Sequence, residues 1–512
     1  MEFLNSIFSW VIKKRIHDIE LFKKYPHDVQ KEWFTKLITS AKDTEWGQRY
    51  DYKSIGSVDE FKSRIPIQDY DKLKNDIQRI QQGEQNILWP SEIKWFAKSS
   101  GTTSDKSKFI PISKESLLEC HYKGGKDLLS MYYNNVASSR LFAGKTLVVG
   151  GSSEMNSFNS DSYYGDLSAI LMKNFPFWVQ ARRTPKLSIA LMNQWEDKLE
   201  QMARITANED VTNISGVPSW TLILLQRILE IKGAKSIPEV WPNLELFMHG
   251  GVNFSPYRSQ FRELINNPKM NYVETYNASE GFFGIQDEID KEGMLLMLDY
   301  GIYYEFMPLS ELGLDNPKTL TLEQVELQTD YALIITTNGG LWRYELGDTV
   351  VFTSLNPFRI KVTGRTKHFI NAFGEELMVH NVEHAIDVAT AKCNCLVKEY
   401  TVAPKFDLSS SIGSHDWVVE FDKEPENLSY FAEVLDNALK SNNSDYEAKR
   451  YKNIALTQPN IIKMPTGTFY NWMKQKGKLG GQNKVPRLFN NRKHVDSLLN
   501  FVKTKEGINF VN

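Results

Sequence analysis

The pattern of apolar and polar residues changes near residue 90. Before it, segments such as DVQKEWFTKLITSAK carry apolar residues at helical spacing between polar turns, which predicts helices. From Glu92 onward, short apolar runs such as KTLVVGG, LELFMHGG and NYVETYNA end in small or polar residues and predict strands. Helical patterns such as SWTLILLQRILEIKG lie between them, with Ser219 as the expected N-cap. This alternation predicts an α/β fold that binds ligands at the carboxyl ends of its strands.

A second, smaller unit is predicted after residue 363. The pattern resets there into a helix, HNVEHAIDVATAKC, two strands, KEYTVAP and HDWVVEFD, and another helix, LSYFAEVLDNALKSNN. About 140 residues remain, which is enough for a separate domain. We therefore expect a large N-terminal α/β domain of β-sheets flanked by helices over residues 1–363, and a smaller α+β domain over residues 369–512.

Composition narrows the class of protein. Of 512 residues, 41% are hydrophobic and 24% are charged, and the formal net charge is -2, which excludes a disordered chain or one built to bind a polyanion. The three cysteines are Cys120, Cys393 and Cys395, and the last two are too close in sequence for an ordinary structural bridge. A disulfide-stabilised secreted fold is therefore not expected, and the reducing cytoplasm fits better.

The apolar N-terminus resembles a signal peptide only superficially. Its basic residues, Lys13, Lys14 and Arg15, follow the apolar stretch instead of preceding it, and no small-residue cleavage site is present. Its apolar residues instead fall at helical spacing, which predicts an amphipathic helix packed on a core. Elsewhere the chain lacks a run of about 20 apolar residues, so no membrane insertion is expected.

The first segment whose residues could take part in binding or catalysis is SSGTTSDKSK, residues 99–108, directly after the strand-like IKWFA. Hydroxyl groups around a glycine, with lysines nearby, can surround phosphate oxygens and offset their charge. The segment is not a Walker A loop, because Asp105 stands where a glycine should precede Lys106. A solvated Ser/Thr turn is the alternative.

The second segment is ETYNASEG, residues 274–281, at the end of a predicted strand. The carboxylate of Glu280 suits Mg²⁺, which prefers carboxylate and phosphate oxygens, and the ring of Tyr276 suits stacking on a purine. The alternatives are a surface acid and a packed aromatic residue.

The third segment is LWRYELGD, residues 341–348, followed by GRTK at residues 364–367. Asp348 can accept hydrogen bonds from both hydroxyls of a ribose, and Arg365 can reach a phosphate or ribose. A Gly-Asp pair by itself also marks ordinary turns.

A basic stretch and a paired-histidine motif are less specific. Residues 474–493 hold seven Lys and Arg residues and no Asp or Glu. Because the whole chain is slightly acidic, a phosphate-facing loop or a solvated surface explains this stretch better than nucleic-acid binding, and no nucleic-acid partner is expected. His380 and His384 have the spacing of an inverted zinc protease motif, but no third ligand is signalled, and an exposed helix explains them more simply.

Taken in order, these segments resemble the adenylate-forming superfamily of acyl-CoA ligases, peptide-synthetase adenylation domains and luciferases. SSGTTSDKSKFIP resembles its phosphate loop, YNASEG its Tyr-x-x-Ser/Thr-Glu segment, YELGD its ribose segment and GRTKHFINAFGEEL its hinge. GLWRYELGD, GTFYNW and GGQNKVPR further resemble the acyl acid amido synthetases, the auxin-responsive Gretchen Hagen type first described in plants, which also has bacterial relatives. The hinge is closer to the general superfamily form than to the plant form.

The resemblance implies a two-step ligation that uses ATP and Mg²⁺. A carboxylic acid is first converted to an acyl adenylate with release of pyrophosphate, and the amine of an amino acid then takes the acyl group and releases AMP. The expected partners are therefore a small carboxylic acid and an amino acid, and the oligomeric state stays open. Because such chemistry rests on positioning and charge stabilisation, no enzyme nucleophile is needed.

The resemblance also implies roles for individual residues. Glu280 would bind Mg²⁺, Lys484 would enter from the small domain to meet the carboxylate or α-phosphate, and Arg365 would act at a hinge over residues 364–368, about which a mobile C-terminal domain swings. The residues implied in nucleotide binding are Ser99, Ser100, Gly101, Thr102, Thr103, Gly251, Val252, Asn253, Tyr276, Ser279 and Asp348.

Two other functions stay open from the sequence. An acyl-CoA ligase would use the same first step with coenzyme A as the second substrate. An adenylate-binding protein that no longer turns over would act as a sensor or scaffold, although Glu280, Asp348 and Lys484 are all in place.

Overall fold

The computed structural model describes most of the chain in two compact units. The described residues are 14–99, 108–150, 156–192, 195–251, 254, 257–366, 369–370, 372–373, 375, 377–406, 413–443, 446–447, 450, 456–476, 485–489 and 491–506. The first unit comprises Met1–Leu346 and Val350–Val362, and the second comprises Gly347–Thr349 and Thr363–Asn512. The apolar stretch at residues 3–12 lies outside the described part, and the hinge over residues 364–368 stays a prediction.

The strands of the first unit form two sheets. They are β1 (Trp95–Ser99), β2 (Lys108–Ile112), β3 (Lys145–Val149), β4 (Asn156–Asn159), β5 (Ser162–Gly165), β6 (Arg183–Thr184), β7 (Val211–Gly216), β8 (Leu246–Gly250), β9 (Asn271–Ala278), β10 (Gly281–Ile285), β11 (Met294–Leu296), β12 (Ile302–Pro308), β13 (Asp330–Thr337), β14 (Tyr344–Leu355) and β15 (Phe358–Arg365). Among the described residues, eleven strands form one sheet in the order β12-β13-β14-β15-β11-β10-β9-β8-β7-β3-β6, and four form the other in the order β2-β1-β5-β4.

Part of the large sheet is parallel. Strands β6, β3, β7, β8 and β9 run in the same direction, whereas β10 returns antiparallel to β9. Parallel strands need crossover connections, and helices between these strands supply them. The carboxyl ends of these five neighbouring strands therefore meet at one edge, as the sequence pattern predicts.

Helices cover much of the rest of the first unit. A helix spans residues 14–24 in the described part, and the others are α1 (Pro26–Ala41), α2 (Glu45–Arg49), α3 (Val58–Arg64), α4 (Tyr70–Gln81), α5 (Lys123–Asn135), α6 (Leu167–Asn174), α7 (Phe177–Arg182), α8 (Leu187–Ala190), α9 (Trp195–Thr206), α10 (Pro218–Lys232), α11 (Ile237–Val240) and α12 (Arg258–Ile265). A π-helical turn over Ser116–Tyr122 precedes α5.

Local sequence explains where several helices begin. Asp69 caps α4 by accepting a hydrogen bond from the backbone N–H of Lys72, and Thr44 caps α2 in the same way. The predicted cap of α10 is wrong. Val217 occupies the N-cap and Pro218 the first helical position, where a proline loses no hydrogen bond and its fixed φ suits the helix. Helix α10 therefore starts before Ser219.

Among its described residues, the second unit has a two-stranded sheet formed by its first two strands and a three-stranded sheet with helices on both faces. Its strands are β16 (Phe369–Ile370), β17 (Leu377–Met378), β18 (Leu396–Phe406), β19 (Gly413–Lys423) and β20 (Asn460–Met464), and its helices are α13 (Val379–Cys393), α14 (Leu428–Asn442), α15 (Thr468–Gln475) and α16 (Lys493–Glu506). Along β19, Trp417 and Val419 pack with α13 and α14, whereas Val418 packs with α15 and α16. The alternation of side chains along this strand thus fills two apolar cores.

Candidate active site

At the carboxyl edge of the parallel strands, glycine lets the backbones of β8 and β9 approach each other closely. Gly250 ends β8 opposite Thr275 of β9, and a Cβ atom at Gly250 would lie 2.4 Å from the Thr275 carbonyl oxygen. Gly251 follows with a φ of +78°, a conformation that favours glycine. The structure therefore places Gly251 at the edge where ligands of such sheets bind, whereas Val252 and Asn253 lie outside the described residues.

Glu280 occupies the turn between β9 and β10. Ala278 and Gly281 pair across this hairpin, so Ser279 and Glu280 form a two-residue turn directly beyond the carboxyl end of β9. Ser279 is buried, and Glu280 is half-buried. A carboxylate held in a short turn at this edge can meet a metal ion and its phosphate ligands.

Tyr276 lies on β9, two residues before Ala278. Its ring is buried and packs against Phe283 with ring centroids 4.9 Å apart. This contact fits the packed aromatic residue that the sequence left open as an alternative. Stacking of Tyr276 on adenine stays a prediction.

The predicted phosphate segment is held at both ends by strands. Ser99, the last residue of β1, pairs with Lys108, the first residue of β2, in an antiparallel ladder. Next to Lys108, the backbone N–H of Phe109 donates to Tyr70 Oη over 2.9 Å. Residues 100–107, with Ser100, Gly101, Thr102 and Thr103 among them, lie outside the described part of the chain.

Two residues of the LWRYELGD segment are placed in ways that the sequence did not reveal. Arg343 is buried and has a positive φ of 42°, and its guanidinium donates to Glu305 and to the carbonyl oxygens of Lys62 and Ile65. Tyr344 is also buried, and burial together with the negative charge of Glu280 raises the pKa of its phenol. The phenol of Tyr344 is therefore within electrostatic range of Glu280 in the first unit, which no motif in the sequence indicated.

Asp348 and Arg365 come together in the second unit. Arg365 Nε lies 3.1 Å from Asp348 Oδ1, and the Asp348 side chain is largely buried whereas that of Arg365 is half-exposed. Around this pair, the Thr366 N–H donates to the Gly347 carbonyl over 2.9 Å, and the hydroxyls of Thr363 and Thr349 are 3.0 Å apart. The structure thus joins the predicted ribose residue to the predicted hinge residue.

Lys484 lies outside the described residues, but the segment that follows it is described. The Val402 N–H donates to the Arg487 carbonyl over 2.8 Å, and the Phe489 N–H donates to the Val402 carbonyl over 3.3 Å. Residues 485–489 therefore run beside β18. The catalytic role of Lys484 stays a prediction.

A buried lysine also lies at the carboxyl edge of the parallel strands. Lys198 on α9 is buried, and its ammonium group donates to the Gly150 carbonyl, just beyond β3, over 3.1 Å. Burial lowers the pKa of Lys198 to about 8, although the charge of Asp166 opposes this shift. No sequence pattern marks Lys198, because it stands among the other charged residues of WEDKLEQ.

The paired histidines lie on α13. The His380 ring nitrogen Nδ1 is 3.2 Å from the Thr363 carbonyl oxygen, and Asn381 contacts the other ring nitrogen. In the described ranges, His, Cys, Asp and Glu side chains form no group of three that could hold a metal ion.

The three cysteines are free thiols. No helix in the described part of the chain is long and apolar enough to cross a membrane.

Comparison with known sequences assigns the family. The family models for the GH3 family N-terminal, central and C-terminal domains match residues 15–270, 295–365 and 380–493. The chain belongs to the GH3 family. The matches run in chain order and cover Glu305, Asp348 and Arg365, although residues 271–294, with Glu280 among them, fall between two of them.

Individual GH3 proteins and related folds agree with this assignment. The indole-3-acetic acid-amido synthetase GH3.4 of Arabidopsis thaliana is 23% identical, and the alignment covers 93% of this chain and 91% of the relative. The GH3.15 acyl acid amido synthetase superposes with a TM-score of 0.74 at 15% identity over 92% of this chain and 93% of that chain. A 2-hydroxyisobutyryl-CoA ligase superposes with a TM-score of 0.58 at 11% identity over 93% and 92%.

These comparisons confirm three of the predictions from the sequence. The GH3 family is the acyl acid amido synthetase family, the fold is the α/β fold of adenylate-forming enzymes, and the enzyme class is a ligase that joins an acid to an amino acid. Family membership also implies use of ATP and of small-molecule acids and amino acids. Structural likeness at this level of identity shows the fold alone.

Proposed function

We propose that the chain is an ATP-dependent acid–amino acid ligase. In the first step a carboxylate oxygen attacks the α-phosphorus of ATP, so that a new P–O bond forms and the bond to pyrophosphate breaks. In the second step the amine nitrogen of an amino acid attacks the acyl carbon. A C–N bond then forms, AMP leaves with the electron pair of the broken C–O bond, and the amine loses a proton.

The position of Glu280 carries this proposal. It stands in the β9–β10 turn at the carboxyl edge of the sheet, the same edge at which Gly250 ends β8 beside β9. A ligand-binding edge with one half-buried carboxylate fits a nucleotide whose phosphates reach the protein through a divalent cation. Glu280 is accordingly the proposed Mg²⁺ ligand, and the ion would supply charge neutralisation at the phosphates.

The remaining roles are proposed on family grounds together with position. Gly251 lies at the sheet edge and would frame adenine with Val252, Asn253 and Tyr276. Asp348, held by Arg365, would bind the ribose, and Lys484 would stabilise the charge that develops in adenylation. The residues proposed to hold the phosphates are Ser99, Ser100, Thr102 and Thr103, and Gly101 and Ser279 are further proposed nucleotide-binding residues.

Cys120, the described cysteine of the first unit, does not support a mechanism with a covalent enzyme intermediate. Cys120 is fully buried, and burial raises the pKa of its thiol to about 12. Its sulfur accepts a hydrogen bond from the Phe282 N–H over 3.2 Å. Because a thiol in this state is a poor nucleophile, the proposal relies on positioning and charge.

The two half-reactions need different catalytic groups around one bound intermediate. We place this exchange in a movement of the second unit about residues 364–368. The separation of the chain into two compact units between Val362 and Thr363 supports such a movement. The reaction is proposed to take place in the cytoplasm, in keeping with three free thiols and a need for ATP.

Pyrophosphate release across a panel of carboxylic acids tests the function. We expect release that requires both an acid and ATP, and an amide product only when an amino acid is added. Parallel reactions with coenzyme A in place of the amino acid separate amide formation from thioester formation. Thioester product without amide would contradict the proposal, and tight ATP binding with no release for any acid would indicate a protein that binds but does not turn over.

A further inference from the structure

Tyr344 is fixed in place by its neighbours in the chain. The Gln68 N–H donates to the Arg343 carbonyl over 2.9 Å, and the Glu345 N–H donates to the Gln68 carbonyl over 2.8 Å. The Arg343 side chain is itself anchored by Glu305. The backbone on both sides of Tyr344 therefore has a defined position, and the phenol it carries is preorganised.

The phenol has an unused hydrogen-bonding capacity. Tyr344 is 0% exposed, and its Oη has no hydrogen-bond partner among the residues that the structure describes. Buried hydroxyl groups are nearly always paired, so an exception calls for an explanation such as a bound group. A phenol keeps its proton at neutral pH, because its ordinary pKa is about 10. The group is thus a donor that lacks an acceptor.

The surroundings of this donor point to nucleotide phosphates. Beyond burial, the charges that raise the pKa of Tyr344 are led by Glu280, the proposed Mg²⁺ ligand, and include Asp69 at the start of α4. Tyr70, also close to Tyr344, accepts the N–H of Phe109, beside Lys108 where the predicted phosphate segment rejoins β2. The hydroxyl is therefore within electrostatic range both of the proposed metal ligand and of Tyr70, which contacts the base of the predicted phosphate segment.

We propose that Tyr344 is a further nucleotide-binding residue, whose hydroxyl donates a hydrogen bond to a phosphate oxygen of the nucleotide held beside Glu280. The inference rests on the proposed function and extends it to a residue with no assigned role. An ion shared between Glu280 and the phosphates would bring an anionic oxygen into this otherwise acidic corner. The hydroxyl would then make a charge-assisted hydrogen bond, which is stronger than one between neutral groups.

The test compares ATP with adenosine in the full-length Tyr344→Phe variant. Loss of a hydrogen bond to a charged group predicts an increase of about 10-fold or more in the dissociation constant of MgATP. Adenosine has no phosphate, so its affinity should not change. Thermal unfolding of the unliganded variant should match or exceed that of the wild type, because the change removes a buried polar group that has no partner.

Tyr304→Phe is the matched control. Tyr304 is as buried as Tyr344, but its hydroxyl donates to the Met297 carbonyl over 3.0 Å. This variant should lower the unfolding temperature and leave MgATP affinity unchanged.

Three results would overturn the role of Tyr344 while leaving the proposed function intact. The first is unchanged MgATP affinity in Tyr344→Phe, and the second is an equal loss of affinity for MgATP and adenosine. The third is a loss of ATP affinity that disappears when Mg²⁺ is omitted, which would mean that the hydroxyl acts on Glu280. In each case the wild type still releases pyrophosphate. If the wild type binds no ATP, the proposed function fails, and the assignment of Tyr344 fails with it.

Discussion

Arg343 and Glu305 form an ion pair in the interior of the first unit. Arg343 Nη2 lies 2.9 Å from Glu305 Oε2, and the two side chains are 5% and 1% exposed. The Thr319 hydroxyl also donates to Glu305, and backbone carbonyls of Lys62 and Ile65 accept from Arg343. The pair thus ties α3 and β12 to the residue that precedes Tyr344.

Breaking this pair should destabilise the protein strongly. Arg343→Met leaves the Glu305 carboxylate buried and unpaired, and we expect a loss of about 3–5 kcal/mol in the free energy of unfolding, measured by urea titration. The double variant Arg343→Met with Glu305→Leu should recover much of this loss, because no buried charge remains.

An exposed pair provides the control. Lys463 and Glu424 lie 2.9 Å apart but are half-exposed or more. Lys463→Met should change stability by less than about 1 kcal/mol. A similarly small loss for Arg343→Met would contradict the structural role given to its ion pair.

Asp127 should make the stability depend on pH in the acidic range. It is buried, with Arg15 Nε 3.0 Å from one carboxylate oxygen and the Tyr300 hydroxyl 2.9 Å from the other. Burial, assisted by the charge of Asp299, raises the pKa of Asp127 from 3.8 to about 6, although Arg15 opposes the shift. Between these values the folded state binds more protons than the unfolded state, so stability falls as pH rises through this window.

The variant Asp127→Asn isolates this contribution. The free energy of unfolding of the wild type minus that of Asp127→Asn should decrease between about pH 4 and about pH 6, by up to about 3 kcal/mol. Urea titrations at closely spaced pH values measure it. A difference that is constant or increases with pH would show that Asp127 ionises more easily in the folded protein than its burial suggests.

Gly250→Ala should distort the edge of the sheet that binds ligands. The added methyl group would lie 2.4 Å from the Thr275 carbonyl oxygen, a contact that only backbone movement can relieve. We expect a loss of about 1–3 kcal/mol in stability, typical of overpacking, and a higher KM for ATP. Unfolding experiments and steady-state kinetics measure the two effects.

Gly125→Ala is the control for this substitution. Gly125 lies in α5, and a Cβ atom there would have no neighbour within 4 Å. Alanine at this exposed helical position should stabilise the protein by up to about 1 kcal/mol without changing the kinetics. Equal behaviour of the two alanine variants would argue against a close approach at Gly250.

Asp348→Ala should raise the KM for ATP. The change removes the proposed acceptor for the ribose hydroxyls and releases Arg365 from its ion pair. Glu424→Ala, at an exposed position of the second unit, should leave the KM unchanged. An unaltered KM in Asp348→Ala would remove this residue from the proposed ribose site.

Lys484→Ala should separate the two half-reactions. The rate of adenylation, measured by pyrophosphate release, should fall far more than the rate of amide formation from a supplied acyl adenylate. The reason is that the proposed contact of Lys484 is with the carboxylate or α-phosphate. Lys474→Ala, at an exposed position on α15, serves as the control. Equal loss in both steps would contradict the role assigned to Lys484.

Sequence periodicity predicted the elements well and the polar contacts poorly. NYVETYNA coincides with β9, and HNVEHAIDVATAKC falls within α13, because apolar spacing directly reflects burial. The cap at Ser219 was wrong because Pro218 already fits the first turn. The ion pair of Arg343 with Glu305 joins residues 38 positions apart, and no local pattern marks such a partner.

The same distinction applies to the candidate site. Glu280 and Asp348 could be named from short motifs, because their residue types suit a metal ion and a ribose. Tyr344 lies within one of those motifs but was passed over, since nothing in YELGD shows that its hydroxyl is buried without a partner. Its surroundings include Gln68, which pairs with the backbone on both sides of Tyr344 but is distant in sequence and reaches it only through folding.

The pairing of Ser99 with Lys108 has a consequence for how the enzyme can change over time. The β1–β2 ladder pairs the two residues that flank residues 100–107, so these residues form the connection between two paired strands. Altering the length of such a connection changes stability only slowly, by about 0.6 kcal/mol for each doubling. The length of residues 100–107, the proposed phosphate segment, can therefore change at little cost to the fold, which leaves this segment open to evolutionary tuning and to engineering.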